Sequence, residues 1–103
     1  MKYQIWYMRP EFFRDGICGK LPHANNLPAT HILLAHLHAD GLGAAYSAMQ
    51  AESWSPNGEG RPLIEGQGLQ HTSMSVGDVI VDDVGNAHVV ASIGFKAIGG
   101  IPK

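Results

Sequence analysis

The sequence predicts an α+β fold: one small domain with a mostly antiparallel sheet of four to five strands and one or two short helices. Three observations carry this. At 103 residues the chain holds a single core, burying roughly two thirds of its unfolded surface. Hydrophobic residues make up 45% and charged residues 16%, which is globular composition. The apolar, β-branched runs are short and separated by too little chain for βαβ crossovers, so neighbouring strands pair antiparallel.

The first strand is Lys2–Met8, with Tyr3, Ile5 and Tyr7 on one face and Gln4, Trp6 and Met8 on the other. Both faces are largely apolar, which suits an inner strand. Residues 9–16 read as a short helix, with Pro10 at its start, Glu11 at the positive end of the dipole and Gly16 as its stop. Residues 17–29 carry Gly19, Pro22, Asn25, Asn26 and Pro28 and read as loop. Residues 30–38 fit strand or helix. Thr30 and Ile32 favour a strand with Thr30, Ile32, Leu34, His36 and His38 on one face. Asp40 then suits a helix N-cap, and Leu42, Ala45, Tyr46 and Met49 have helical spacing as far as about Ala51. Residues 55–68 contain Pro56, Gly58, Gly60, Pro62, Gly66 and Gly68, which predict a long loop of the kind that often binds partners. Val79–Val81 and residues 88–91 form a hairpin around a turn at 82–86, residues 94–98 add a strand, and 98–103 a tail.

Composition removes several function classes. The formal charge of −2 offers no global attraction for nucleic acid or anionic membrane. Charge is uneven, however. Residues 1–38 carry Lys2, Arg9, Arg14 and Lys20 against Glu11 and Asp15, while residues 39–103 carry Arg61, Lys96 and Lys103 against seven acids. The first part is the only place for a nucleic-acid contact, which the net charge disfavours. Cys18 is the single cysteine, so no internal disulfide forms. No secretory h-region and no membrane-length apolar run is evident, and a soluble cytoplasmic protein is expected. No nucleotide-binding or other cofactor fingerprint is present, and no cofactor is expected.

The chemistry-bearing residues fall in three groups. His36-x-His38 on a strand directs two imidazoles to one side, two of the ligands a metal needs. The spacing from Gly77 to Asp83-Val84-Gly85-Asn86-Ala87-His88 resembles the second cupin motif, which implies a metal site of His36, His38 and His88. Asp83 stands where that motif has proline, and the glutamate expected after His-x-His is missing. The second group, His71-Thr72-Ser73-Met74-Ser75, sets a base near hydroxyls. Without a Gly-x-Ser-x-Gly elbow it reads as a polar turn capping backbone groups ahead of Val79. The third group is the loop at 54–61, where Trp54, Asn57, Glu59 and Arg61 combine an aromatic, a turn and opposite charges. Trp54 serves equally as an interface anchor or a core plug, and Glu59–Arg61 as a weak surface pair.

The stretch from His71 to Val81, with Ser73-Met74-Ser75-Val76-Gly77-Asp78 before a hydrophobic strand, and the return at Val89–Lys96 with Gly94-Phe95, resembles the C-terminal part of YodL-like domains. Tyr3–Trp6, Met49–Glu52 and residues 54–61 are similar to short proteins of bacterial plasmids, integrative elements and phages. The resemblance covers about the last third of the chain and brings no reaction with it. It implies an accessory role on a mobile element, including antagonism of host defence. The expectation is a non-enzymatic module that binds a protein partner through Trp54, Asn57, Glu59, Arg61, His71, Ser73, Ser75 and Asp78. A homodimer is compatible with it, and a small cupin-like metal protein is the alternative.

Overall fold

The computed structural model describes residues 1–10, 27–55, 57–69, 71–91 and 94–100. Five strands form one sheet: β1 (Lys2–Met8), β2 (His31–His38), β3 (Val79–Val81), β4 (Asn86–Val90) and β5 (Phe95–Gly100). Their order is β2-β1-β3-β4-β5, and every pair is antiparallel. The helices are short: α1 (Leu27–Thr30), α2 (Leu42–Ala48), α3 (Ala51–Trp54) and α4 (Arg61–Gly66). The α+β class is as predicted, with four helical segments instead of one or two. No helix of the described residues is long and apolar enough to cross a membrane.

β1 organises the sheet because both of its faces are apolar. Tyr3, Ile5 and Tyr7 join Ile80, Val90, Ala45, Met49, Ile64, Leu69 and Met74 in the main core, on the face that α2 and α4 cover. Trp6, on the other face, packs with Leu27, Val79, Val81, Ala87 and Val89 in a second cluster. The three residues of β3 are buried on both faces, as the unbroken Val-Ile-Val run requires.

β2 departs from the simple alternation. Ile5 pairs with Ala35 but Trp6 pairs with Leu33, so Leu34 is an extra residue in a bulge. Side chains of paired residues share a face, and the bulge reverses the phase of the strand. Ile32 lies with Tyr7, Ala35 with Ile5 and Leu37 with Tyr3 on the core face, where Leu34 also packs. Leu33, His36 and His38 lie with Trp6, Gln4 and Lys2 on the opposite face. The expected single face of Thr30, Ile32, Leu34, His36 and His38 is therefore split, and Thr30 belongs to α1.

Other boundaries move for local reasons. Gly41 precedes α2 with no side-chain cap, so Asp40 does not act as the N-cap. The expected helix to Ala51 stops at Ala48, and the chain turns before α3. Here Met74 N–H bonds Met49 O at 3.1 Å, and Gln50 Nε2 bonds Met74 O at 3.1 Å. The expected loop at 55–68 contains α4, with Pro62 in its first turn where no donor is lost. The helix closes through Leu69 N–H to Ile64 O and Gly68 N–H to Glu65 O, with Gly68 at φ 73°. This is a Schellman stop, and its Ile64 and Leu69 both enter the core. β4 begins at Asn86 and β5 runs on to Gly100, two residues past the expected end of that strand at 98. Of the helix expected at 9–16 only Arg9 and Pro10 are described, and Cys18 and His23 lie outside the described residues.

Truncating a fully buried core residue should leave a cavity, whereas an exposed tip should not. Ile80→Ala is expected to lower stability by about 2–4 kcal/mol, and Val84→Ala, 74% exposed on the β3–β4 turn, by less than about 0.5 kcal/mol. Urea unfolding of the two variants beside the wild type measures the difference.

Candidate functional site: a surface at 57–65 on a buried polar framework

Asp78 precedes β3 and is fully buried. Its Oδ1 accepts from Met8 N–H at 2.8 Å, and its Oδ2 accepts from Ser75 N–H at 2.8 Å and His71 Nε2 at 2.7 Å. Its own N–H donates to Ser75 O at 3.0 Å and its carbonyl accepts from Val90 N–H at 2.8 Å. One residue thus joins the end of β1, the segment 71–77 and the end of β4. Three N–H donors on one carboxylate offset the cost of removing it from water. The expectation that Asp78 belongs to a contact surface is corrected by this burial.

His71 is part of the same framework. Its ring stacks on Tyr7 with centroids 4.6 Å apart and planes 11° from parallel. Nε2 is committed to Asp78 and Nδ1 is buried, so neither nitrogen is presented to solvent as a base needs to be. Tyr7 Oη donates to Thr72 O at 2.6 Å. Burial, and then the charge of Asp78, hold the Tyr7 hydroxyl far above the ordinary phenol range, so it remains a donor. Ser75 Oγ donates to Ser73 O at 3.1 Å, and both serines are half-buried. The segment 71–78 is therefore mainly a braced turn.

His31, which the sequence reading left without a role, closes the other side. It is buried, with Nε2 2.7 Å from Gly77 O and Nδ1 2.7 Å from Thr30 Oγ1. The carbonyl only accepts, so Nε2 carries the hydrogen and Nδ1 accepts from the threonine. Gly77 meets a double constraint: its φ is 96°, and a Cβ there would lie 2.6 Å from Met8 Cε. Burial depresses the His31 pKa, against the Gly77 carbonyl and the charge of Asp78, which raise it, while Arg9 and His71 add to the lowering.

The exposed part of the candidate surface rests on this framework. Trp54 is partly buried against the main core, and its Nε1 donates to Thr72 O at 3.1 Å. Of its two expected roles, the core plug describes its position. Gly60 sits on the indole, where a Cβ would lie 2.4 Å from the ring, and Gly60 N–H bonds the buried Ser55 Oγ at 2.8 Å. Beyond this anchor Asn57, Glu59 and Arg61 are exposed. Glu59 accepts from Asn57 N–H at 2.9 Å and Asn57 Nδ2 at 3.2 Å. The backbone bond from Asn57 is the main cause that keeps its carboxyl below the ordinary range. Arg61 pairs with Glu65 at 3.1 Å, one turn along α4, rather than with Glu59 as expected. Leu63, 42% exposed, stands on the same short helix, and only Ile64 of α4 is buried.

The metal alternative does not assemble. His36 lies in the row Gln4–Val81–Ala87, three strand steps or about 14 Å from β4. His88 follows Ala87, so it points to the opposite face, where its Nε2 lies 3.0 Å from Asp82 Oδ2. Desolvation would raise the Asp82 carboxyl, but bonds from His88, Asn86 N–H and Val84 N–H prevail and lower it. Among the described residues no three His, Cys, Asp or Glu converge on one point. His36 instead lines an open groove of about 250 Å³ with Lys2, Gln4, Val81 and Asp83. The open sheet also departs from the barrel that the cupin-like spacing implies. Comparison with family models, curated proteins and solved structures finds no match.

Two outcomes follow. Asp78→Asn sets an amide NH₂ or a single oxygen against donors from three groups, and should cost about 2–4 kcal/mol in chemical unfolding. For His31 the unfolded chain takes up a proton near pH 6.5 that the folded chain refuses. Its contribution is complete above that pH and is lost as pH falls from about 6.5 towards the depressed folded value. The wild type should therefore lose up to about 1.4 kcal/mol per pH unit more than His31→Gln in that window, read from unfolding at a series of pH values.

Proposed function

We propose that the protein is a non-enzymatic interaction module that holds the surface at 57–65 against a basic protein partner. The observation that carries this reading is the anchoring of Trp54. Its indole bond to Thr72 O, with Gly60 seated on the ring, fixes the base of a segment whose outer side chains stay exposed. A surface ordered before binding loses less conformational entropy on association. Exposed Glu52, Glu59 and Glu65 outnumber Arg61 between residues 52 and 65, which favours a positively charged partner, with Leu63 as the apolar contact. The likeness of residues 71–96 to YodL-like domains supports an accessory role on a mobile element, and a basic, nucleic-acid-binding component of host defence fits the charge.

Leu63→Ala/Glu65→Lys alters exposed side chains and leaves Trp54, Ser55 and Gly60 untouched. Wild-type protein should retain a basic host protein in affinity capture followed by mass spectrometry, and the double variant should lose it with an unchanged melting temperature. Identical capture by both proteins, or capture by neither, would count against the reading.

A further inference from the structure

We propose that the chain forms a twofold dimer by pairing β2 antiparallel with the β2 of a second copy. β2 and β5 are the two edges of the described sheet, and they differ in character. β5 carries Lys96 and ends in Gly99 and Gly100, features that discourage pairing. β2, His-Ile-Leu-Leu-Ala-His-Leu-His, has eight residues without Lys, Arg, Asp, Glu or Pro. An edge of this length and character is suited to continue a sheet. Its core-side residues Ile32, Leu34, Ala35 and Leu37 are only partly buried, and Leu33, His36 and His38 are exposed. A strand laid alongside would cover what the edge leaves open.

The bulge identifies the occupant as a second copy. With Leu34 as the extra residue, the core-facing positions are 32, 34, 35 and 37, and the outward-facing positions are 31, 33, 36 and 38. This pattern is symmetric about the bond between Leu34 and Ala35. A twofold axis at that bond sets Ile32 against Leu37, Leu34 against Ala35, Leu33 against His36 and His31 against His38 of the other copy. Core-side residues then meet core-side residues on both halves of a continuous ten-stranded sheet. An evenly alternating strand could not pair with itself in this register, because each residue would meet one of the opposite face. The interface is isologous, as a closed dimer requires, and it brings no formal charge against itself while the histidines are neutral. It uses none of the residues at 57–65, so it stands or falls separately from the proposed partner surface.

The register makes a charge-swap test possible at exposed positions. In Leu33→Lys/His36→Lys, each lysine faces a lysine of the other copy, twice by symmetry. In Leu33→Lys/His36→Glu, each lysine faces a glutamate. Sedimentation equilibrium at micromolar concentrations should show a wild-type dimer. The Lys/Lys variant should weaken it about tenfold or more, and Lys/Glu should recover most of the loss. Circular dichroism and melting temperature establish that both variants fold. Hydrogen exchange should show β2 amides losing protection on dilution to monomer. A wild type that stays monomeric, including one whose β2 pairs with another peptide instead, overturns the proposal. So does a dimer that both variants leave unchanged.

Discussion

The described fold turns on a carboxylate that never reaches water. Asp78 receives hydrogens from the backbone of Met8, the backbone of Ser75 and the ring of His71, and its carbonyl receives that of Val90. These contacts come from elements far apart in sequence, so the group sets the angle at which the segment 71–77 leaves the sheet. The stacked Tyr7 and His71 rings and the His31–Gly77 bond complete the brace. An apolar residue at 78 would remove the buried charge but leave three donors facing it. Chain direction around the brace is thereby specified as well as stability, since a carboxylate with fixed donors tolerates little misplacement.

The outer surface inherits its order from that brace. Thr72 O accepts from both Tyr7 Oη and Trp54 Nε1. The core strand and the exposed segment are thus tied to one carbonyl oxygen. Ser55, itself buried, then holds Gly60, and the side chains from Asn57 to Glu65 bond among themselves. The residues expected to act together therefore divide by role. Asp78, His71 and Trp54 fix the shape, while Asn57, Glu59 and Arg61 face solvent.

Much of the sheet was legible because short-range pattern governs it. Two apolar faces over Lys2–Met8 place β1 in the interior, and the Asp82–Gly85 turn between Val79–Val81 and the returning strand places β4 next to β3. Four features were not legible, each for a physical reason. The phase reversal in β2 depends on the register against β1, and nothing local distinguishes Leu34 from its neighbours. Helix α4 was hidden because Pro62 and Gly68, read as breakers, serve as its start and stop. Position, not composition, separates a cap from a break. Asp78 gave the polar signal of a turn, and its burial depends in part on a bond from Met8, 70 residues away. For His31, similarly, the partner Gly77 lies 46 residues further on.

The extra residue in β2 also marks the point at which that strand can change length. In a regular strand, loss or gain of one residue is absorbed by sliding the register, at the cost of turning every side chain over. Here Leu34 already supplies one such turnover. Deleting it would leave Ile32, Ala35 and Leu37 opposite Tyr7, Ile5 and Tyr3 in even alternation, with His36 and His38 still on the other face, and would remove only the core packing of Leu34 itself. A residue lost at Leu34 is therefore absorbed inside β2 without moving either half of the strand, whereas one gained in either half would turn the side chains beyond it over.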